Sequence, residues 1–376
     1  MRHGIVDRWL KAGIISALFT FAIPSDWGVI PAYAFSSSSS SYVTSSYEIQ
    51  QKLIEGLEAR KDSITLKYKG NTKNLEKILK QAVMDALDND PYTKYIVDRY
   101  TYSWRGTSSS AKIVLEVDYR ESAEQSAYVN KRIESILKSI LQSNMNDHQR
   151  IKAIHDYVVV NLKYDEDIQK YTAYEGLKTG EAVCQGYSLL TYKLLKTAGF
   201  KSYIVEGTAG GQAHAWNLVF LDGNWYHLDT TWDDPLTNKP GQVRYEYYLR
   251  TDKQMKADHQ WIKKYPAATT PYREILSSLS SKAGTERAIY TALEEQLGYN
   301  LYYSDAAINT GAGLQEKVKQ SIKSGNDSIT VRYSGSENQL IKDLGSLYEL
   351  NVRNIRYSAT SMEDISDLRV EIFWQI

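Results

Sequence analysis

Gly180-Glu181-Ala182-Val183-Cys184-Gln185-Gly186-Tyr187 holds the chain's only cysteine and runs straight into an apolar-periodic stretch. Leu189, Leu190, Tyr192, Leu194 and Leu195 recur at helical spacing, and Gly199 closes the run. The pattern predicts a loop that turns into a helix with Cys184 in the first turn. A helix N-terminus presents unpaired amides and the positive end of its dipole. Sulfur placed there is favoured as the anion, and the cysteine's own amide is left free to hydrogen-bond an oxyanion.

Two further residues extend this reading. His214 stands thirty residues on, in Ala213-His214-Ala215-Trp216-Asn217. Asp229 stands fifteen beyond that, in Trp225-Tyr226-His227-Leu228-Asp229-Thr230-Thr231-Trp232-Asp233-Asp234-Pro235. Ala213–Leu221 and Asn224–Thr231 alternate as two strands joined by Asp222-Gly223, a two-residue hairpin signal. With that turn Leu221 faces Asn224, His214 falls opposite Thr231, and Asp229 is its diagonal neighbour on the same face. A nucleophile, a base and a residue that orients the base are therefore expected in Cys184, His214 and Asp229. Taken singly, each has a plainer role: a buried thiol, a core histidine, a turn-forming aspartate.

Upstream, Glu124–Leu141 reads as one amphipathic helix, and Asn146-Asp147 caps a second that carries Ile151, Ile154, Tyr157, Val158 and Leu162. Two or three strands follow from Lys201 to about Thr231. Helices first and an antiparallel sheet after is an α+β pattern.

Both flanks repeat one unit. Asp62-Ser63-Ile64-Thr65-Leu66-Lys67-Tyr68-Lys69-Gly70 aligns with Asp327-Ser328-Ile329-Thr330-Val331-Arg332-Tyr333-Ser334-Gly335 at a constant offset of 265. Val114-Leu115-Glu116-Val117 echoes Arg369-Val370-Glu371-Ile372. The expected organisation is an N-terminal αβαββ module (47–120), a catalytic domain (121–270), a helical connector (271–312) and a C-terminal αβαββ module (313–376). The modules are candidates for binding a cell-wall polymer, or for scaffold and dimer contacts.

Arg2, Arg8 and Lys11, the apolar stretch Ala12–Ile23 and Ala32-Tyr33-Ala34 read as an export signal over 1–34, followed by a serine-rich linker over 35–46. The expected location is therefore extracellular or in the cell envelope, with no membrane contact beyond the signal. Lysine plus arginine and aspartate plus glutamate both total 45, so no basic field points to nucleic acid. An exported chain with one cysteine closes no internal disulfide, which leaves the thiol reactive, intermolecular, or buried and inert.

The three blocks around Cys184, His214 and Asp229 resemble those of the transglutaminase-like superfamily, in its secreted bacterial branch. His155-Asp156-Tyr157 and Lys163-Tyr164-Asp165 share in the resemblance, which covers roughly 145–240. It implies a papain-like α+β core with Cys184 as nucleophile, His214 as base and Asp229 as orienter. It also implies a protein or peptide substrate, attacked at glutamine side chains or peptide bonds. The second oxyanion donor stays open among Tyr164, Gln185 and Trp216, with Tyr164 preferred. Acyl transfer to an amine, hydrolysis by a peptidase or amidase, and non-catalytic binding are the functions in play. Trp216, Trp225, Trp232 and Tyr187 are candidates to wall a tunnel that admits an amine and excludes water. No cofactor or metal is expected: His155 and His227 lack acidic or thiol partners at metal-ligand spacing. Asp88-Asn89-Asp90 begins like a calcium loop but has Arg99 where the bidentate carboxylate belongs.

Overall fold

The computed structural model describes residues 42–234, 243–282 and 284–376. The expected export signal and most of the serine-rich linker lie outside the described residues. The chain forms two compact units that divide after Tyr272.

The first unit opens with α1 (Ser46–Glu58), β1 (Ser63–Lys69), α2 (Leu75–Leu87), α3 (Pro91–Ile96), β2 (Val97–Gly106) and β3 (Ser110–Tyr119). The sheet order is β1-β3-β2, all antiparallel. Strict alternation in β1 buries Ile64, Leu66 and Tyr68 against Leu53, Leu57, Leu79 and Val83 of the two long helices. The short helix α3 was not read from the sequence, its six residues being too few for a periodic signal. Asp90 caps it through the Thr93 amide, with Pro91 at its first turn.

The helices α4 (Ala123–Ile140) and α5 (Asp147–Asn161) follow, each opened by a capping box, Ser122 with Gln125 and Asn146 with Gln149. Two two-residue strands, β4 (Lys163–Tyr164) and β5 (Glu181–Ala182), then pair in parallel around α6 (Ala173–Thr179). The segment next enters α7 (Cys184–Thr197), which packs on β6 (Ser202–Ala209) and β7 (Gln212–Leu221). The hairpin partner is β8 (Asn224–Leu228). A short helix α8 (Asp252–Met255) and a two-residue strand β9 (His259–Gln260) finish a sheet of order β8-β7-β6-β9. Helices packed on an antiparallel sheet make this the expected α+β core.

The hairpin has the expected register, Leu221 facing Asn224, with φ of 46° at Asp222 and 82° at Gly223. Both positive angles belong to the two-residue turn that matches strand twist. One expectation is corrected: β8 ends at Leu228 rather than Thr231, so Thr231 does not pair with His214. Asp229 Oδ1 accepts from the amides of Thr231 (3.0 Å) and Trp232 (3.2 Å), which rolls the chain out of the sheet.

The second unit carries α9 (Tyr272–Ser281), whose first residue lies on the divide, and α10 (Arg287–Gln296). It then has β10 (Ala307–Ile308), α11 (Gly311–Lys323), β11 (Ser328–Tyr333), α12 (Glu337–Gly345), β12 (Arg353–Ser361) and β13 (Leu368–Gln375). Its sheet order, β10-β11-β13-β12, contains the β1-β3-β2 arrangement of the first module with one strand added. The last strands align differently from the sequence echo. Ile64 pairs with Leu115 and Ile329 with Ile372, so Leu115 corresponds to Ile372, two residues beyond Val370. A slip of two leaves the same face buried, which is why the sequence pattern survived it.

Candidate active site

Cys184 is the first residue of α7, and the preceding Val183 has no side-chain oxygen with which to cap the helix. The loop before it is held from behind. The buried Asp165 carboxylate accepts from the Gln169 (2.7 Å) and Lys170 (2.8 Å) amides, and the Lys170 carbonyl accepts from Val183 N (2.9 Å). Lys163-Tyr164-Asp165 thus fixes the point at which the helix begins. Cys184 is only 2% exposed.

His214 Nε2 donates to Asp229 Oδ2 at 2.6 Å, and the ring is also hydrogen-bonded to Cys184. With Nε2 occupied by the carboxylate, Nδ1 is the nitrogen left for the sulfur. Burial opposes charge on His214, but Asp229, and after it Cys184, raise its pKa to about 10. Burial likewise pushes Asp229 upward, and His214 and His259 outweigh it, holding the carboxyl well below its ordinary value. The structure therefore brings Cys184, His214 and Asp229 together, with the ring favoured as imidazolium.

The Asp229 block is a locked turn. Asp233 N bonds back to the Asp229 carbonyl (3.2 Å), and Asp233 Oδ1 accepts from Tyr247 N (2.9 Å). His155 Nε2 donates to Asp233 Oδ2 (3.0 Å), and Tyr187 OH donates to Asp234 Oδ2 (2.6 Å). This gives His155-Asp156 its place: burial disfavours a charged His155, yet Asp156 and Asp233 on its two nitrogens raise its pKa. Tyr187 is fully buried in this role, and Trp216 is 1% exposed. Neither lines an open tunnel.

Of the three candidate oxyanion donors, Trp216 has its single N–H committed elsewhere and Gln185 one of its two. Gln185 Nε2 donates to the Tyr95 carbonyl (3.1 Å), and Trp216 Nε1 to His227 Nδ1 (2.9 Å). Trp216 instead lies against the His214 ring, centroids 5.7 Å apart and 19° from parallel. Its partner His227 accepts at Nδ1 and donates from Nε2 to Asp252 (2.9 Å), and burial lowers its pKa. Tyr164, paired with Ala182 and electrostatically coupled to Cys184, stays beside the thiol; burial first, then Cys184, raises its pKa.

Sequence reasoning missed His259. Its Nε2 reaches Asp229 Oδ2 at 3.1 Å and its Nδ1 reaches Asp258 Oδ1 at 2.5 Å, with the ring fully buried. It is delivered by β9, which lies so close over Gly207 that a Cβ there would come within 2.0 Å of the Gln260 carbonyl. The adjacent acid and imidazole of Asp258-His259 were the available signal. His214, Asp229 and His259 could by type hold a metal ion. Tetrahedral zinc ligands, at about 2.0–2.1 Å from the ion, stand about 3.3 Å apart. The 2.6 Å contact between Nε2 and Oδ2 is too short to flank an ion and is a direct hydrogen bond. His155 and His227, expected without acidic partners at ligand spacing, each find one through the fold, in Asp233 and Asp252.

Residues 134–230 match the family model described as Transglutaminase-like superfamily. The mouse protein named kyphoscoliosis peptidase is 27% identical over 179 residues, 41% of this chain and 27% of that protein. The Caenorhabditis elegans Lim and transglutaminase domain protein ltd-1 is 24% identical over 307 residues, 63% of this chain and 42% of that protein. This chain thus spans less than half the length of either relative. Among solved structures, one described as a TGase is 16% identical, covering 49% of this chain and 54% of its own, with a TM-score of 0.28. Legionella pneumophila LapG, treated with EGTA, is 12% identical, covering 40% and 91%, with a TM-score of 0.26. The match to the transglutaminase-like superfamily takes in the segment that carries Cys184, His214 and Asp229.

Proposed function

We propose that this chain is a thiol enzyme that opens amide bonds of proteins or peptides through a thioester on Cys184. The observation that carries the reading is the sulfur at the start of α7, hydrogen-bonded to a His214 ring whose far nitrogen is held by Asp229 at 2.6 Å. The Cys184 thiolate attacks the carbonyl carbon and forms a C–S bond. Negative charge passes to the carbonyl oxygen, where the Cys184 amide and the Tyr164 hydroxyl are the donors we assign. Collapse of this intermediate breaks the C–N bond, and the His214 imidazolium gives its proton to the departing nitrogen. An amine then attacks the thioester, His214 takes up its proton, and the C–S bond breaks to regenerate the thiolate. Asp229 keeps the imidazole oriented throughout.

Transfer to an amine is favoured over hydrolysis by the dry surroundings, since Cys184 is 2% and His214 5% exposed beneath Trp216 and Trp232. The second reading, a peptidase or amidase on the same groups, draws on the name of the mouse relative. Incubation with a glutamine peptide and a labelled primary amine separates the two. Label incorporation supports transfer, and chain cleavage without label supports the peptidase. A Cys184 that resists iodoacetamide at neutral pH, with function retained in Cys184→Ala, would instead support a non-catalytic binding protein. Export to the cell envelope remains part of the proposal and rests on the sequence of residues 1–34. No helix among the described residues is long and apolar enough to cross a membrane.

A further inference from the structure

A groove of about 370 Å³ lies in the first unit between α3, the C-terminal half of α7, β6 and the segment after β9. Five lysines line it: Lys94, Lys196, Lys201, Lys263 and Lys264. Among the described residues the carboxylates in its lining are Asp88 and Glu206, both turned to Lys94, at 3.0 and 3.6 Å. The other four lysines are exposed and have no carboxylate partner among the described residues. Between them stand the rings of Tyr203, Trp225 and Tyr265, and Ile262 projects fully exposed from the same loop as Lys263.

The groove reaches the neighbourhood of the thiol. Tyr95 lines it, and the Tyr95 carbonyl is held by the side chain of Gln185, the residue after Cys184. Glu206, beside Lys94 and Tyr95, lines it too, one residue from Gly207, which pairs with His214. Tyr265 OH accepts from the Glu206 amide (3.1 Å) and ties the lysine-bearing loop to that strand. A ligand lying in the groove would therefore touch Tyr95, which Gln185 links to Cys184, and Glu206, which pairs with Ala215 beside His214.

We infer that this groove receives an acidic segment of the protein substrate, adjacent to the amide that Cys184 attacks, which rests on the proposed function above. Lys201 and Lys263 lie over the Phe220 and Tyr265 rings, but ammonium groups without a carboxylate partner match carboxylates, and the intervening rings match the apolar side chains of a peptide. An inorganic or wall polyphosphate would use the charges and leave the rings without a partner. The cations are all lysines, point charges that suit scattered carboxylates, with none of the planar arginine forks that grip phosphate in pairs.

The test uses two glutamine peptides of equal length, one flanked by glutamate and leucine and the other by serine and leucine, with a labelled amine as acceptor. The wild-type protein should favour the acidic peptide by about tenfold in kcat/KM, carried by KM, with the preference shrinking as salt rises. The double variant Lys196→Glu with Lys264→Glu should bring the ratio to about one or below. The milder Lys196→Gln with Lys264→Gln should fall between. Equal use of the two peptides by the wild type, or a preference that survives charge reversal, would overturn the inference. Binding of the fluorescein-labelled acidic peptide to Cys184→Ala is measured alongside. If neither peptide turns over but the labelled peptide binds in a lysine-dependent way, the proposed chemistry fails and the groove assignment stands. If an inorganic polyphosphate displaces the labelled peptide more strongly than poly-glutamate at equal charge, the occupant is a phosphate polymer and the inference is wrong.

Discussion

Replacing Asp229 with asparagine keeps the side chain's size and removes its charge, at a site with no exposure. The carboxylate accepts from His214 at 2.6 Å, from His259 at 3.1 Å and from two amides of its own turn. An asparagine cannot accept from both imidazoles with one oxygen and also from both amides with its nitrogen, so the His214 bond weakens. A hydrogen bond to a charged group contributes about 1.5–3 kcal/mol, and about 1.4 kcal/mol is a factor of ten. Losing about 2–3 kcal/mol of support for the imidazolium predicts alkylation of Cys184 by iodoacetamide about 30- to 160-fold slower at pH 6. Near pH 9 a thiol ionises without an ion-pair partner, so the gap should close. The assay is the second-order alkylation rate from pH 5 to 10, followed by intact mass, with circular dichroism to show that the variant is folded. A folded variant that reacts within about threefold of wild type at pH 6 would refute the role given to the carboxylate.

The pH dependence of stability carries a sign. His214 rises from an ordinary 6.5 to about 10 on folding, so its stabilising contribution is complete below pH 6.5 and is lost as pH climbs through about 10. The urea midpoint should therefore fall between pH 7 and 10, and His214→Gln should flatten that decline; an unchanged slope would count against it. His259→Phe removes a donor to Asp229 and should lower kcat by about 10- to 100-fold, with a shifted pH profile. His259→Gln, whose amide can still donate, should recover most of it, and equal activity in both variants would make His259 a packing residue only. Tyr164→Phe should cost about 100-fold in kcat, while iodoacetamide, whose reaction forms no oxyanion, reacts at the wild-type rate. Parallel losses in both measurements would remove Tyr164 from the oxyanion site.

Features that depend on neighbours along the chain were legible in the sequence. Apolar spacing and Gly199 placed the helix that opens at Cys184, and Asp222-Gly223 set the hairpin register. Periodicity and turn chemistry are local, so they can be read without knowing what packs where. The repeat survived a two-residue offset in its last strand for the same reason, because the pleat has period two.

Which partner each buried polar group takes was settled by packing in three dimensions. Gln185 and Trp216 carry the donors an oxyanion needs, yet the fold commits them to the Tyr95 carbonyl and to His227. Asp229 was readable as a partner for His214, but its second imidazole arrives from β9, thirty residues further along. Tyr95 reaches the site from the N-terminal module, on a helix whose short length gives little periodic signal. Buried donors and acceptors must be satisfied by whatever the packing brings near, and that choice is made across the chain rather than along it.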